Sequence, residues 1–319
     1  MDAGSNSAPR EPSPGQLRNP LKRYLLATRP AFLSVTLIGC LLGLASAWHD
    51  RIPLQPGTAV LGLLLALLAH AGINVCNDYY DALNGTDAAN TGRLFPFTGG
   101  SRFIQNGVLT PGQTLHWALC LFLLAIAGGS WLLLQSGSGL LWIGLAGLGI
   151  GWAYSAPPLR LNSRGWGELS VAAGFLLLPV GMDFVQRHQF AWSPVYAGTG
   201  FSLLVCNLLY INQFPDRSAD LQAGKRHWVA RLAPRQARWG YVLIVIVAYL
   251  LSTIWIATGR LPTAALVSLL ALPLSAQAAS GLLRHADTPA NLAASIRATI
   301  LAAILQGMLM SSSLIFSRF

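Results

Sequence analysis

The chain alternates long apolar runs with short polar ones. Stretches built mostly of Leu, Ala, Val, Ile and Gly occupy 31–49, 57–80, 113–134, 138–154, 168–186, 193–214, 238–258, 262–282 and 294–316. Each approaches the roughly 20 residues that a helix needs to cross a bilayer. Within lipid only a helix or a closed barrel satisfies its own backbone. The pattern therefore predicts an all-α integral membrane protein with nine transmembrane helices.

The polar runs are informative because they are few. Only 10% of the 319 residues are charged, 53% are hydrophobic, and the mean hydropathy is +0.51. A soluble globular domain carries about 25% charged residues, so that class is excluded. The net charge of +10 does not indicate nucleic acid, because the bases sit in short loops between apolar runs. They sort by side instead. With the N-terminus inside, 17 of the 21 Lys and Arg fall on the cytoplasmic side, and only Arg51, Arg187, Arg260 and Arg318 on the other. The positive-inside rule then predicts a cytoplasmic N-terminus in the inner membrane, with the lipid bilayer as partner. No obligatory protein partner is evident.

Residues 1–15, rich in Pro, Ser and Gly, read as a disordered tail, and no signal peptide is expected. Residues 16–30 mix bases with apolar residues, as an interfacial segment does. Residues 31–319 form the membrane domain. Cys40, Cys76, Cys120 and Cys206 lie singly in apolar runs and read as small hydrophobes rather than as a zinc site or disulfides.

Six of the eleven acidic residues, Asp78, Asp81, Asp87, Glu168, Asp216 and Asp220, cluster at cytoplasmic ends of spans. Asn74, Asp78 and Asp81 stand at i, i+4 and i+7, and Asn212, Asp216 and Asp220 at i, i+4 and i+8, so each trio shares a helix face. Four spans separate the two trios, which predicts two four-helix halves plus one helix. Carboxylates in a membrane protein face the bundle interior or a wet cavity. Four of them together need a cation, and an Asp/Asn oxygen set suits Mg²⁺ shared with substrate phosphates. The loops that follow carry bases for a diphosphate: Arg93 and Arg102 around Gly99-Gly100, and Lys225 and Arg226 after Gly224. In YSAPPLRLNSRGWGELS, Tyr154 reads as an interface aromatic or a site residue, and Glu168 as a salt-bridge partner of Arg160 or Arg164.

These pieces in this order resemble the UbiA superfamily of intramembrane prenyltransferases, over nearly all of 22–316. The matching segments are Arg29-Pro30, NDYYDALNGTD, GGSRFIQNGVLTP, YSAPPLRLNSRGWGE and NQFPDRSADLQAGKRHWVARL. The resemblance implies nine helices around a central cavity, with two Asp-rich motifs holding Mg²⁺ and a polyprenyl diphosphate. It implies metal-binding and catalytic roles for Asp78, Asp81, Asp216 and Asp220, with Asn77 and Asn212 as further ligands. Asn74, Asp87, Tyr154 and His227 are candidates for holding or activating an aromatic acceptor, with Asp81, Asp87 and His227 open as the base. The ND-x2-D-x5-D and N-x3-D-x3-D spacings look most like 1,4-dihydroxy-2-naphthoate polyprenyltransferases of menaquinone synthesis. Pro157-Pro158 departs from the glycine-rich segment frequent there, which keeps 4-hydroxybenzoate or another aromatic acceptor as the alternative. A secondary transporter fits less well, because its polar residues would gather near the midplane. A CDP-alcohol phosphotransferase is excluded by its missing motif.

Overall fold

A computed structural model describes residues 10–318; the first nine residues of the expected tail lie outside the described residues. From Arg10 the chain lies against the loop after the second span, where Glu11 accepts hydrogen bonds from Arg93 and Asn106. Helix α1 (Pro20–Ala27) begins at Asn19, whose side chain accepts from the Lys22 amide. It leaves Leu21 and Leu25 exposed.

The membrane domain comprises α2 (Leu33–His49), α3 (Pro56–Leu83), a short α4 (Thr86–Ala89), α5 (Pro111–Ser136), α6 (Gly139–Ser155), a short α7 (Leu161–Arg164), α8 (Gly167–Arg187), α9 (Ser193–Gln222), a short α10 (Trp228–Arg231), α11 (Pro234–Ala257), α12 (Leu272–His285) and α13 (Ala293–Phe316). Short 3-10 turns lead into α2, α12 and α13. Eight helical segments among the described residues are long and apolar enough to cross a membrane. The ninth expected span is the shorter apolar helix α6, 17 residues long. At 1.5 Å per residue it covers about 26 Å, near the hydrocarbon thickness.

The helices start where the sequence supplies caps. Pro opens α3, α5 and α11, where a missing amide hydrogen costs nothing. Thr110 and Gln113 form a reciprocal capping box at the start of α5. The core is centred on α9, which packs against α2, α8, α11 and α13 around Phe201, Ile211, Tyr241, Leu282 and Met310. Lipid tails are as apolar as leucine, so the helices are held by close fit rather than by exclusion of water. Gly39 shows the closeness: a methyl group there would sit 3.0 Å from Leu178 of α8. At the end of the bundle away from the acidic motifs Arg187 joins Asp183 (2.6 Å) and Asp50 (2.6 Å), tying the α8–α9 turn to the α2–α3 turn. Cys40, Cys76 and Cys206 are buried and free, as expected, whereas Cys120 faces outward.

Candidate active site

Helices α2, α3, α5, α6, α8 and α9 enclose a cavity of about 660 Å³. Its walls are apolar for most of its length, and its polar end lies where α3 and α9 finish. On α5 and α6 the lining includes Ile126, Ser130, Leu141, Gly144 and Leu145, all of them exposed. These two consecutive helices splay after a two-residue turn, leaving a gap lined by exposed cavity residues of both.

The first acidic motif is shaped by how α3 stops. Gly85 adopts a left-handed conformation, and the Asn84 side chain accepts from the backbone and hydroxyl of Thr86. This Asx turn starts α4 and returns Asp87 to the cavity. Asn77 donates to Asp81 (3.1 Å) and to Ser155 (2.9 Å), and Asn84 donates to Asp81 from the other side (3.2 Å). The glycine pair in the next loop lets the backbone approach closely. Gly100 has φ +74°, and a Cβ there would lie 2.5 Å from the Asp87 carboxylate.

The second motif is closed by a reversal after α9. Gly224, at φ +75°, turns the chain, the Lys225 amide donates to Asp220 O (2.8 Å), and Arg217 holds the returning α10 through Val229 O (2.9 Å). Lys225 is thereby folded under the bundle. Its ammonium lies 3.0 Å from Asp81 and 3.1 Å from Asp220, so one buried cation bridges the two motifs. Burial alone would weaken the charged ammonium, but the Asp81 and Asp220 carboxylates outweigh it and raise its pKa. Asp216 accepts from Asn90 at 2.6 Å. His227 takes the Ala230 amide on Nδ1, which places its proton on Nε2, facing Asp220 at 3.0 Å. Burial, then the neighbouring Asp81 charge, push Asp87 up to about 7, against the pull of Arg29, Lys225 and Arg102.

The expected site residues divide into two groups. Asn74, Asn77, Asp81, Asp87, Tyr154, Asn212, Asp216, Asp220, Lys225 and His227 all line the cavity. Asp78 does not: it is buried against Arg29 and the Ser101 amide. The cavity-facing stripe of α3 is centred nearer Asn77 than Asn74, so Asp78 falls to its side. Arg93 and Arg102 also stand off the cavity. Arg93 pairs with Glu11 at 2.7 Å, and Arg102 is buried with a bond to Asp87 O. Arg226 is exposed. Glu168 accepts from Gln213 (3.0 Å) rather than pairing with Arg160 or Arg164.

Three contributors escape sequence reasoning. No spacing rule links Asn90 to Asp216 across 126 positions. Arg29 belongs to a matching segment, but only the fold brings it to Asp78. His70 stands four residues before Asn74 in an otherwise uncharged run, and that spacing was its signal.

Mg²⁺ fits the donor set. Among the described residues no three acids stand close enough to hold a metal unaided. Yet Mg²⁺ takes few carboxylates and keeps waters and substrate phosphates. Asp81, Asp216 and Asp220 line one cavity end, and the buried Asn212 Oδ1 there has no hydrogen-bond partner.

A charged, oxygen-rich pocket continuous with a long apolar chamber defines an integral membrane protein built to bind a polar head on a hydrocarbon tail. The chain belongs to the UbiA prenyltransferase family, which matches residues 36–304. It is 25% identical over 320 residues to a 1,4-dihydroxy-2-naphthoate octaprenyltransferase of Bacillus subtilis, covering 98% of this chain and 96% of that one. It is 30% identical over 223 residues to the Escherichia coli protein of the same name, covering 67% and 70%. In fold it is similar to a UbiA homologue from Archaeoglobus fulgidus bound to GPP and Mg²⁺, with a TM-score of 0.62 and 14% identity over 92% of this chain and 99% of that one.

Proposed function

We propose that this prenyltransferase moves an isoprenyl chain from a polyprenyl diphosphate to 1,4-dihydroxy-2-naphthoate, with Mg²⁺ as cofactor, as a step of quinone synthesis. One observation carries the reading: two Asp-bearing helices from different halves of the chain meet at one end of one cavity, around Lys225. The B. subtilis and E. coli relatives, named for that acceptor, support it.

Asn77, Asp81, Asn212, Asp216 and Asp220 would hold Mg²⁺, which when bound neutralises charge developing on the departing diphosphate. Lys225 adds a fixed positive charge at the same place, in a site shielded from bulk water where it counts for more. Asp78 acts behind the wall by holding Arg29 in position. Cleavage of the allylic C–O bond sends its electron pair to the diphosphate. A ring carbon of the acceptor then supplies the pair for the new C–C bond. The substituent on that carbon leaves as a proton or as carbon dioxide, restoring the ring. The apolar wall matters because water reaching the allylic cation would give the alcohol instead.

Among the three candidate bases, two are occupied. His227 has both nitrogens engaged, and Asp81 is held by Lys225, Asn77 and Asn84. Among the described residues the Asp87 side chain receives only a long bond from Gln105 (3.4 Å), and it faces the cavity, so it is the residue free to take a phenolic proton. With the N-terminus cytoplasmic, this chemistry faces the cytoplasm and the tail lies in the bilayer. The test is mass spectrometry of products after supplying purified protein with a polyprenyl diphosphate, Mg²⁺ and a mixture of aromatic acids. Prenylated naphthoate is expected. Prenylated 4-hydroxybenzoate alone would move the acceptor to the alternative, and no product would remove the reading.

A further inference from the structure

The cavity face of α3 carries a ladder of polar residues that ends abruptly. His70, Asn74, Asn77 and Asp81 stand at i, i+4, i+7 and i+11 and all line the chamber. Beyond His70 the same face offers only Ala69, Ala66, Leu65 and Gly62. His70 therefore marks the border between the polar and apolar parts of the chamber. It lies seven residues above Asn77, about 10 Å along the helix.

The imidazole is fixed from two sides. Its Nδ1 is 2.6 Å from the hydroxyl of the fully buried Thr36 on α2, and its ring meets Phe175 of α8 edge to face, with centroids 5.5 Å apart. Among the described residues no hydrogen bond of 3.5 Å or less closes on Nε2, the Asn74 side chain stands beside the ring one turn on, and Nε2 is not sealed inside the protein. A rigid ring thus holds one open nitrogen toward the chamber. An ionisable side chain at membrane depth is costly to keep without a partner.

An isoprenyl tail offers no atom to meet that nitrogen. With donor alone, Nε2 would face hydrocarbon, and an unmet buried polar group is unfavourable. A bicyclic acceptor with oxygens at both ends of one ring can meet it. With its reacting carbon near the diphosphate, the acceptor spans the amide zone of Asn74 and Asn77, and one oxygen reaches the border. We infer that His70, held by Thr36, is a specificity-determining residue of the site, whose Nε2 hydrogen-bonds a hydroxyl of the aromatic acceptor. This assignment rests on the naphthoate reading above.

The experiment is steady-state kinetics in detergent or liposomes with wild type, His70→Leu, His70→Gln and Thr36→Val, varying donor and acceptor separately. His70→Leu raises the acceptor KM ten- to a hundredfold and leaves the donor KM within twofold of wild type. His70→Gln, which keeps a hydrogen-bonding end, restores the acceptor KM to within about fivefold of wild type, and Thr36→Val falls between. The acceptor analogues 1-hydroxy-2-naphthoate and 4-hydroxy-2-naphthoate are then used as competitive inhibitors. The one lacking the hydroxyl that His70 meets loses no affinity in His70→Leu, while the other does. An unchanged acceptor KM, a shift confined to the donor KM, or equal loss for both analogues overturns the assignment. Unaltered donor kinetics report that each variant is folded. Failure of wild type to prenylate naphthoate refutes the acceptor reading itself and, with it, this role.

Discussion

Replacing Lys225 by Met keeps most of the side-chain stem and removes the charge between the two motifs. The ammonium lies 3.0 Å from Asp81 and 3.1 Å from Asp220. At an effective dielectric constant of 20, each pair attracts by about 5 kcal/mol. Burial of the ions costs several kcal/mol apiece, so most of that attraction is offset in the intact protein. The balance changes when one partner is removed. Two carboxylates are left buried and facing each other, and loss of one member of a buried ion pair costs about 3–5 kcal/mol. The expected result is a fall of at least ~5 °C in the thermal midpoint of the purified protein, measured in chelator to keep metal out. Added Mg²⁺ should recover most of the loss in Lys225→Met, since a divalent ion can take the vacated position between the acids. It should recover prenyl transfer only in part, because the fixed charge beside the diphosphate is gone. A midpoint within one degree of wild type in chelator would show that Lys225 is not the counter-charge of these motifs. A large fall that Mg²⁺ leaves untouched would refute a metal site there.

Further outcomes follow from the same geometry. Asp216→Ala removes a cavity-lining carboxylate proposed to hold the metal and leaves Asn90 without its partner; activity should drop below detection while the protein still purifies as a single species from membranes. Asp87→Asn should lower kcat by ~10²–10⁴-fold, the range of general-base catalysis, with donor KM little changed; an equal loss of donor affinity would assign Asp87 to the metal instead. Stripping divalent ions with EDTA should abolish transfer, and Mg²⁺ should restore it; full activity after exhaustive chelation would exclude the proposed cofactor role.

The membrane fold was largely legible because the bilayer imposes its own length scale. A run such as 193–214 cannot be much else in so uncharged a chain, and α9 (Ser193–Gln222) contains it. The difference lies at the ends. The helices carrying the acids continue past the apolar runs, α3 to Leu83 and α9 to Gln222, and there the face with Asp81, Ala219 and Asp220 is buried while Leu83, Leu221 and Gln222 stay exposed. The two acidic ladders were readable from helical periodicity alone. The phase of a ladder was not: a shift of its centre toward Asn77 moves Asp78 out of the chamber and into the hands of Arg29, and only packing sets that shift. Lys225 was visible as a base but not as a bridge, which depends on the reversal at Gly224. Charge alone makes Arg93 and Arg102 candidate substrate ligands, yet Glu11, some eighty to ninety residues earlier, stands against them, and no local pattern announces so distant a partner.

The gap between α5 and α6 has a bearing on how the protein meets its reactants. A compound with a long hydrocarbon chain dissolves in the sheet of lipid, and a gap on the flank of the bundle would admit it from there. The quantity that governs encounter is then its fraction among the surrounding lipids, not its concentration in the assay volume. Diluting the bilayer with inert lipid or detergent should slow turnover even when every reagent in the tube is held constant.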